Sequence, residues 1–245
     1  MRGACQARQN GAWHTQERRA QKAAVAVLAA VGASLDPRRA DLVAALGETT
    51  GSAALNNMLA RMQSNPSGRQ ILAERPRVTD ETLEYARTLP EGTFGHAYAQ
   101  FMRKRRFSAD ERPPVRFVDD GELAYVAARA REVHDLWHVL FGCPTTVLGE
   151  LALKALEFVQ TGMPMAALSV AGAQWRLSGR DRSRLATELL PWALRSGMRC
   201  ADLMCLPYER HLQEDLEEVR SRWRITPSPA AAVASRPAAQ PRVSL

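Results

Sequence analysis

Cysteine, long apolar runs and strand patterns are scarce in this 245-residue chain, and each shortage narrows the class of protein. The four cysteines, Cys5, Cys143, Cys200 and Cys205, include no CxxC pair, and 46% hydrophobic residues can build a core without disulfides. The apolar run at residues 23–33 is far shorter than the ~20 residues that span a bilayer. Alternating β-branched residues between turn signals are missing, so we predict no substantial sheet. From the cysteine pattern we predict free thiols in a reducing compartment.

The excess of basic residues, which gives a formal net charge of +7, lies at the two ends of the chain. Residues 1–40 contain seven Lys and Arg against two acids, and residues 226–245 contain two Arg and no acid. The intervening residues 41–225 carry 24 basic and 24 acidic side chains and are neutral overall. A nucleic-acid-binding body is therefore not indicated.

The N-terminal segment is rich in arginine and contains one acid before residue 36. Its charge is spread along the segment, which is typical of a mitochondrial presequence, whereas a secretory signal confines charge ahead of a hydrophobic block. We predict a presequence at residues 1–35, with a disordered basic N-terminus as the alternative. One all-α domain is predicted at residues 36–225, and the Pro/Ala/Ser-rich residues 226–245 are predicted to be a disordered tail.

Helical periodicity runs through this domain and predicts an all-α fold. A helix predicted to follow Asp119, with Glu122 as its capping-box partner, ends at Gly142. Thr145 or Thr146 is expected to cap the next helix, because both have the hydroxyl that a helix N-terminus favours. The predicted helices, besides the one ending at Gly142, cover residues 37–46, 52–62, 80–88, 98–106, about 146–160, 181–200 with an irregularity at Pro191, and 207–223.

The stretch HDLWHVLFGCPTTVLGE, at residues 134–150, contains two histidines four positions apart. On an α-helix His134 and His138 share one face, about 6 Å apart, and can converge on one ion. The spacing matches the HExxH helix of metalloproteases, with aspartate where that motif has glutamate. The Asp135 side chain projects about 100° round the helix from His134. It could serve as a further metal ligand, as a hydrogen-bond partner for an imidazole, or as a base for metal-bound water.

Glu150 follows twelve residues after the second histidine. On an unbroken helix it would lie about 18 Å away along the axis. The intervening Gly142, Cys143 and Pro144 break the helix. Because His138 and Glu150 lie at similar rises on either side of that break, an antiparallel hairpin would bring them to one level. The sequence therefore predicts a metal site on a helical hairpin.

Two imidazoles with one or two carboxylates suit Zn²⁺, and they also suit the Fe²⁺ of oxygen-using non-haem enzymes. The alternative is a pair of ordinary histidines on an amphipathic helix and an exposed glutamate. Apolar residues surround all three, and buried polar groups need partners. Cys143 lies beside the predicted hairpin, and we interpret it as a small buried residue at the break, because no second cysteine is spaced to help it bind a metal.

The motif, read as HDLWH followed by eleven residues and Glu150, resembles the HDxxHx11E motif of the ubiquinone (coenzyme Q) biosynthesis protein family, fourth Coq member. The similarity extends over about residues 36–225, in the family's order. The similar segments are DPRRADLVAALGETTG, ILAERPRV, LPEGTFG, RFVDDGELAYV, REVHDLWH, FVQTGMPM, LPWALRSG and YERHLQEDLEEVR.

This resemblance implies an all-α protein, peripheral on the matrix side of the mitochondrial inner membrane, within the multiprotein complex of coenzyme Q synthesis. It implies a zinc site at His134, Asp135, His138 and Glu150. The activity attributed to the family removes the C1 carboxylate of 4-hydroxy-3-methoxy-5-polyprenylbenzoate, with an oxidative version that also hydroxylates C1. Other coenzyme Q biosynthesis proteins and polyprenylated benzoate or quinone lipids are the expected partners, and a homodimer stays open.

Three functional hypotheses follow from these observations. In the first, the protein is a metal-dependent decarboxylase in which Asp135 or a metal-bound water transfers a proton to C1. In the second, a structural metal staples the hairpin, and the apolar segment at residues 148–173 presents lipids to partner enzymes. In the third, the His-Asp pair joins His96 and Asp202 in an HD-type phosphohydrolase. The third leaves the second histidine and the glutamate of the motif without a role.

Overall fold

The computed structural model describes residues 40–112 and 114–230, which fold into one domain of α-helices. The all-α prediction is confirmed, because the described residues form no strand beyond an isolated bridge between Thr93 and Asp215. No helix in this part of the chain is long and apolar enough to cross a bilayer. The predicted presequence lies outside the described residues. The helices are α1 (Ala40–Thr50), α2 (Ser52–Ser64), α3 (Pro66–Glu74), α4 (Asp80–Arg87), α5 (Phe94–Arg105), α6 (Gly121–Phe141), α7 (Val147–Thr161), α8 (Pro164–Ala173), α9 (Gly179–Arg184), α10 (Leu190–Arg199) and α11 (Leu216–Arg222).

Helices α6 and α7 form the hairpin that the sequence predicts. Helix α6 ends at Gly142, whose φ of +63° is in the left-handed region that favours glycine. The N–H of Cys143 then donates to His138 O at 3.0 Å, which closes the last turn. Thr146 caps α7 by accepting from the N–H of Gly149 at 3.2 Å. The reversal therefore rests on local capping at both ends of a short connection.

Gly149 allows the first turn of α7 to lie directly against the preceding chain. A Cβ atom at this position would lie 2.0 Å from the carbonyl oxygen of Pro144. Such an overlap with backbone cannot be relieved by rotating a side chain. The close approach therefore requires glycine immediately before Glu150, and it helps to set the position of that glutamate.

Aromatic side chains fix α6 in the centre of the core. Trp137 is fully buried, and its Nε1–H donates to the Tyr208 hydroxyl at 2.8 Å. That hydroxyl donates in turn to Leu203 O at 2.7 Å, so both polar tips are satisfied. Trp223 packs edge-on against both Tyr208 and Phe94. Packing of this kind holds the histidine-bearing helix rigidly from behind.

Several predicted helix boundaries are wrong near the N-terminal half of the domain. The first helix continues through Gly47 to Thr50, because the N–H of Gly51 still donates to Gly47 O at 2.8 Å. Helix α3 was not predicted, although Asn65 caps it by accepting from two backbone N–H groups and Pro66 occupies its first turn. Asp120, not Asp119, caps α6, by accepting from the N–H groups of residues 122 and 123.

The helix predicted at residues 98–106 begins earlier, at Phe94, because Thr93 caps it. The helix predicted at residues 207–223 is wrong over most of its length. The carbonyls of Leu212 and Glu214 accept hydrogen bonds from the first turn of α5, and helix returns only at Leu216–Arg222 after the Asp215 cap. Tertiary hydrogen bonding therefore overrides helical periodicity in this segment.

The irregularity predicted at Pro191 is a single π-turn, Leu185–Leu189, just before it. The N–H of Leu190 donates to Leu185 O, five residues back. This wider turn suits Pro191, because proline has no N–H to donate and its ring crowds the preceding turn. Beyond the predicted boundary at residue 226, the N–H of Ser228 donates to Phe141 O at 2.7 Å. The packed chain therefore extends into the first five residues of the predicted tail, up to residue 230.

Candidate metal centre

The hairpin brings together two histidines of α6 and one glutamate of α7. The ligand atoms of His134, His138 and Glu150 all lie within 4.8 Å of one another. His138 Nε2 lies 3.1 Å from Glu150 Oε1, and His134 Nε2 lies 3.8 Å from Glu150 Oε2. The imidazole rings are perpendicular, with centroids 4.9 Å apart. Three of the four predicted ligands therefore face one point between two helices.

Both imidazoles are anchored through the ring nitrogen that faces away from this point. His134 Nδ1 lies 3.1 Å from Glu157 Oε2, and His138 Nδ1 lies 2.9 Å from Cys143 O. Because both partners are acceptors, each Nδ1 carries the proton in a neutral ring, and each Nε2 lone pair is left facing Glu150. This arrangement is the one that orients histidines in metal sites.

Glu157 was not singled out by sequence reasoning. It lies seven residues after Glu150, two helical turns along the same face of α7, and that spacing is the signal that could have identified it. Its carboxylate is buried and also accepts from Lys154 Nζ at 2.7 Å. Glu157 therefore supports His134 without reaching the point where the three ligand atoms converge.

The site combines two carboxylates, Glu150 and Glu157, with the Lys154 ammonium beside Glu157. Burial and the Lys154 ammonium act to lower the pKa of His134, but contacts with Glu150 and Glu157 outweigh them and raise it to about 9. Burial acts to raise the pKa of Glu150, but both imidazoles hold it well below its usual range. Burial also acts to raise the pKa of Glu157, and Lys154 with His134 lowers it to about 2. Two ionised carboxylates therefore favour a cation at this place.

The donor set and its exposure fit a divalent transition metal. Two imidazole nitrogens and one carboxylate are accepted by Zn²⁺ and by non-haem Fe²⁺, both of which leave a position open for a further ligand. The His138 side chain is 1% exposed, whereas those of His134 and Glu150 are 20% and 35% exposed. The site is thus closed on the His138 side and open toward solvent beside Glu150.

Asp135, the fourth predicted ligand, is not in this group. Its Oδ2 accepts from Arg112 Nη2 at 2.6 Å, and Arg112 also donates to the carbonyls of Val78 and Ala109. One residue after His134, its side chain projects about 100° further round α6 and so reaches this arginine. The structure therefore places Asp135 beside the metal centre, in an ion pair.

The remaining sequence candidates lie elsewhere. The ring of His96 contacts Leu89 O at 3.1 Å and Gln100 Nε2 at 3.2 Å. Asp202 pairs with Arg61 at 3.3 Å and caps the turn that follows it. The structure brings neither to the His-Asp pair, so it gives no support to the phosphohydrolase alternative. Cys143 is buried as predicted, and burial raises the pKa of its thiol to about 12.

A cavity of about 400 Å³ opens next to α7, on a face other than that of its glutamates. Its walls come from α7, α8, α10 and residues 182–186, and they are mostly apolar, with Phe158, Val170 and Leu194 among them. Gln174 and Arg182 are its polar lining residues. Six of its lining residues belong to the apolar segment at residues 148–173. One helix therefore carries both the acidic side of the metal centre and a wall of an apolar cavity.

Comparisons with known proteins give a consistent result. The family model described as Coenzyme Q (ubiquinone) biosynthesis protein Coq4 matches residues 12–229. A Bos taurus protein named ubiquinone biosynthesis protein COQ4 homolog, mitochondrial, is 46% identical over 85% of this chain and 80% of its own. An Aspergillus niger protein named ubiquinone biosynthesis protein coq4, mitochondrial, is 47% identical over 85% and 73%. A Nostoc punctiforme crystal structure has the same fold, with a TM-score of 0.65 at 23% identity over 81% of this chain and 95% of that one.

Proposed function

The chain belongs to the Coq4 family of coenzyme Q (ubiquinone) biosynthesis proteins, and on that premise we propose that it is a metal-dependent carbon-carbon lyase. The proposed reaction removes the C1 carboxylate of 4-hydroxy-3-methoxy-5-polyprenylbenzoate. The carboxylate leaves as CO2 and a proton replaces it at C1; in an oxidative version a hydroxyl replaces it, with O2 as the two-electron oxidant. The observation that supports this proposal is the convergence of His134, His138 and Glu150 at a partly open site.

These three residues would hold Zn²⁺ or Fe²⁺. Such an ion acts as a Lewis acid on a carboxylate or phenolate oxygen when bound. Glu157 and the carbonyl of Cys143 keep the two imidazoles in the orientation that this ligand set needs. The aromatic ring of the substrate has access through the exposed side of Glu150, because the His138 side is closed by the core.

Asp135 is the proposed proton-transfer group. Arg112 occupies one of its carboxylate oxygens at 2.6 Å and so fixes the direction of the side chain. We expect the other oxygen to be the one that exchanges a proton. The Asp135 side chain is 18% exposed and its residue follows His134 in the chain, which supports a role in proton exchange with solvent beside the ligand group.

The polyprenyl tail is proposed to occupy the apolar cavity between α7, α8 and α10. Isoprene units carry no polar atoms, and burying them in such a cavity contributes roughly 25 cal/mol per Å² of surface removed from water. Because α7 contributes to the cavity and to the metal centre, one rigid helix would position the tail relative to the ring.

A second proposal is a non-catalytic one, in which the metal is structural and the protein organises the coenzyme Q enzymes around a bound lipid. The two imidazoles come from one side of the hairpin break and the carboxylate from the other. An ion held by all three would therefore fasten α6 to α7 whether or not it does chemistry. Both proposals place the protein on the matrix side of the mitochondrial inner membrane, with other coenzyme Q proteins, as suggested by relatives named mitochondrial.

Elemental analysis of anaerobically purified protein, followed by a decarboxylation assay on the same sample, tests these proposals. We expect Glu150→Ala and His138→Ala to lose the metal and the product together, while His96→Ala keeps both. Undiminished product from metal-free Glu150→Ala protein would refute the lyase proposal. Absence of turnover with every metal, together with a lower melting temperature of metal-free protein, would support the structural role instead.

A further inference from the structure

Helix α8 is apolar almost throughout, yet among its residues only Ala166 is buried. An apolar helix in a water-soluble domain is normally covered on most of its sides. Its neighbours share this exposure: Trp175, just after α8, is 71% exposed, and Met198 on α10 is 65% exposed. Leu168 and Leu194 are about half exposed, and Leu194 also lines the cavity. Leu168 and Trp175 each directly follow a residue that lines the cavity, Ala167 and Gln174, and Met198 lies one turn after Leu194 on α10. Exposed apolar side chains beside a cavity are a feature of binding surfaces.

Arginines are chain neighbours of three of these four residues: Arg176 follows Trp175, Arg195 follows Leu194 and Arg199 follows Met198. Residues 164–200 contain six arginines and two acids, a net charge of +4, within a region at residues 41–225 that is neutral overall. Four of them, Arg176, Arg180, Arg195 and Arg199, are exposed and form no ion pair or side-chain hydrogen bond with any described residue. Arg195 and Arg199 lie next to Leu194 and Met198 on α10, so the basic and apolar groups alternate along one exposed side of that helix.

We propose that this docking surface, formed by Leu168, Trp175, Leu194 and Met198 with the four unpaired arginines, binds an anionic lipid bilayer. Apolar side chains and an indole at the interface, with arginines beside them, are the features of a helix that lies on a charged membrane. The proposal identifies the face that would carry the proposed membrane association. It needs neither the metal nor the reaction.

The charge pattern favours a bilayer over a second copy of the chain. A two-fold dimer through this surface would bring the four arginines of one copy close to the same four of the other. Like charges that face each other across an interface oppose association. Of the two acids at residues 164–200, Glu188 already pairs with Arg184, so only Asp181 is left to balance the four arginines. An anionic lipid headgroup supplies the missing charge, and the acyl region covers the apolar helix.

Binding in this orientation would also place the cavity against the bilayer. Phe158 and Leu194 line the cavity and are themselves exposed, so its apolar lining is continuous with the docking surface. A lipid tail would then pass from the acyl region into the cavity without crossing water. This consequence rests on the proposed function in one respect: the proposed function identifies the lipid tail as a polyprenyl chain.

Vesicle flotation of the full chain tests the surface. The probes are vesicles of phosphatidylcholine alone and of phosphatidylcholine mixed with phosphatidylglycerol. We expect binding to the anionic vesicles that weakens with salt, and a loss of roughly tenfold or more when the four arginines become Gln. The matched control is Tyr85→Gln with Lys104→Gln, exposed residues outside the surface, which should bind as the unmodified chain does. Equal binding by all three proteins would overturn the proposal.

Quenching of tryptophan fluorescence by brominated acyl chains locates the contact. Trp137, Trp192 and Trp223 are buried, so a membrane-facing indole should be Trp175 or Trp13, which lies outside the described residues. We expect Trp175→Phe to abolish most of the quenching and Trp13→Phe to keep it. The reverse result would assign binding to the basic N-terminal segment and refute the proposal. A dimer of the unmodified chain that dissociates in the surface variants, with no vesicle binding by any of them, would also refute the proposal. Neither assay uses substrate or metal, so failure here leaves the lyase proposal standing.

Discussion

Replacing Glu157 with Gln should weaken metal binding although residue 157 is not a ligand. The Glu157 carboxylate lies 3.1 Å from His134 Nδ1 and fixes the imidazole with Nε2 toward Glu150. Gln has nearly the same volume but no charge, so the variant removes the charge-assisted hydrogen bond and leaves the packing. The expected effect is therefore on the orientation and basicity of one ligand.

The expected loss of metal affinity follows from the position of Glu157, which contacts the metal-ligand candidate His134 on the side away from the site. Outer partners of metal-bound histidines are typically worth 10–100-fold in affinity, which corresponds to about 1.4–2.8 kcal/mol. We expect the upper part of that range, because Glu157 is 9% exposed and no water can replace it easily. A competition titration against a chromophoric zinc chelator, at fixed pH and ionic strength, measures the change directly.

Lys154→Met is the matched control, since Lys154 Nζ binds the same oxygen of Glu157 at 2.7 Å. Removing this ammonium leaves the contact between Glu157 and His134 and takes away a nearby positive charge. Its zinc affinity should therefore stay the same or rise, whereas that of Glu157→Gln falls. A folded Glu157→Gln protein that binds zinc as tightly as the unmodified chain would show that the outer carboxylate has no such role.

Three further predictions concern the scaffold. Gly149→Ala should lower the free energy of unfolding in urea by about 1–3 kcal/mol, because the added Cβ meets backbone, and unchanged stability would contradict this geometry. Glu209→Gln should cost roughly 3 kcal/mol, since the fully buried Arg129 guanidinium loses its carboxylate, and a loss below 1 kcal/mol would mean that Arg129 is hydrated. Burial raises the pKa of Cys200 and Cys205 to about 12, so iodoacetamide at pH 8 should label them only after unfolding, and rapid labelling of the native protein, seen by peptide mapping, would refute this.

The hairpin was predictable because its signals are local. Gly142, Pro144 and Thr146 each act on the chain within a few residues, through a left-handed cap, a helix break and an N-cap. The convergence of His138 and Glu150 follows from counting helical rise on both sides of the break. No distant contact has to be known for this part of the site.

The parts that were missed depend on contacts between distant segments. Residues 211–215 have helical periodicity, but the first turn of α5 takes the carbonyls of Leu212 and Glu214. The direction of Asp135 depends on Arg112, which reaches it from a separate loop. Helix α3 is a different case, because its start signal, Asn65 followed by Pro66, is local and could have predicted the helix. Helical periodicity gives a segment a local preference for helix, and hydrogen bonds to distant segments can override that preference.

The geometry of α7 limits what can occupy the metal centre and the cavity together. From Glu150 to Phe158 is eight residues, or about 12 Å along the helix axis, with a rotation of about 80° between the two side chains. A molecule that engages both must therefore combine a polar head with an apolar tail that bends round the helix. A hydroxybenzoate with a polyprenyl chain on its ring has that form, whereas a benzoate without a tail reaches only the metal side. Tail length should accordingly affect affinity through Phe158 and its neighbours and leave the requirement for Glu150 unchanged.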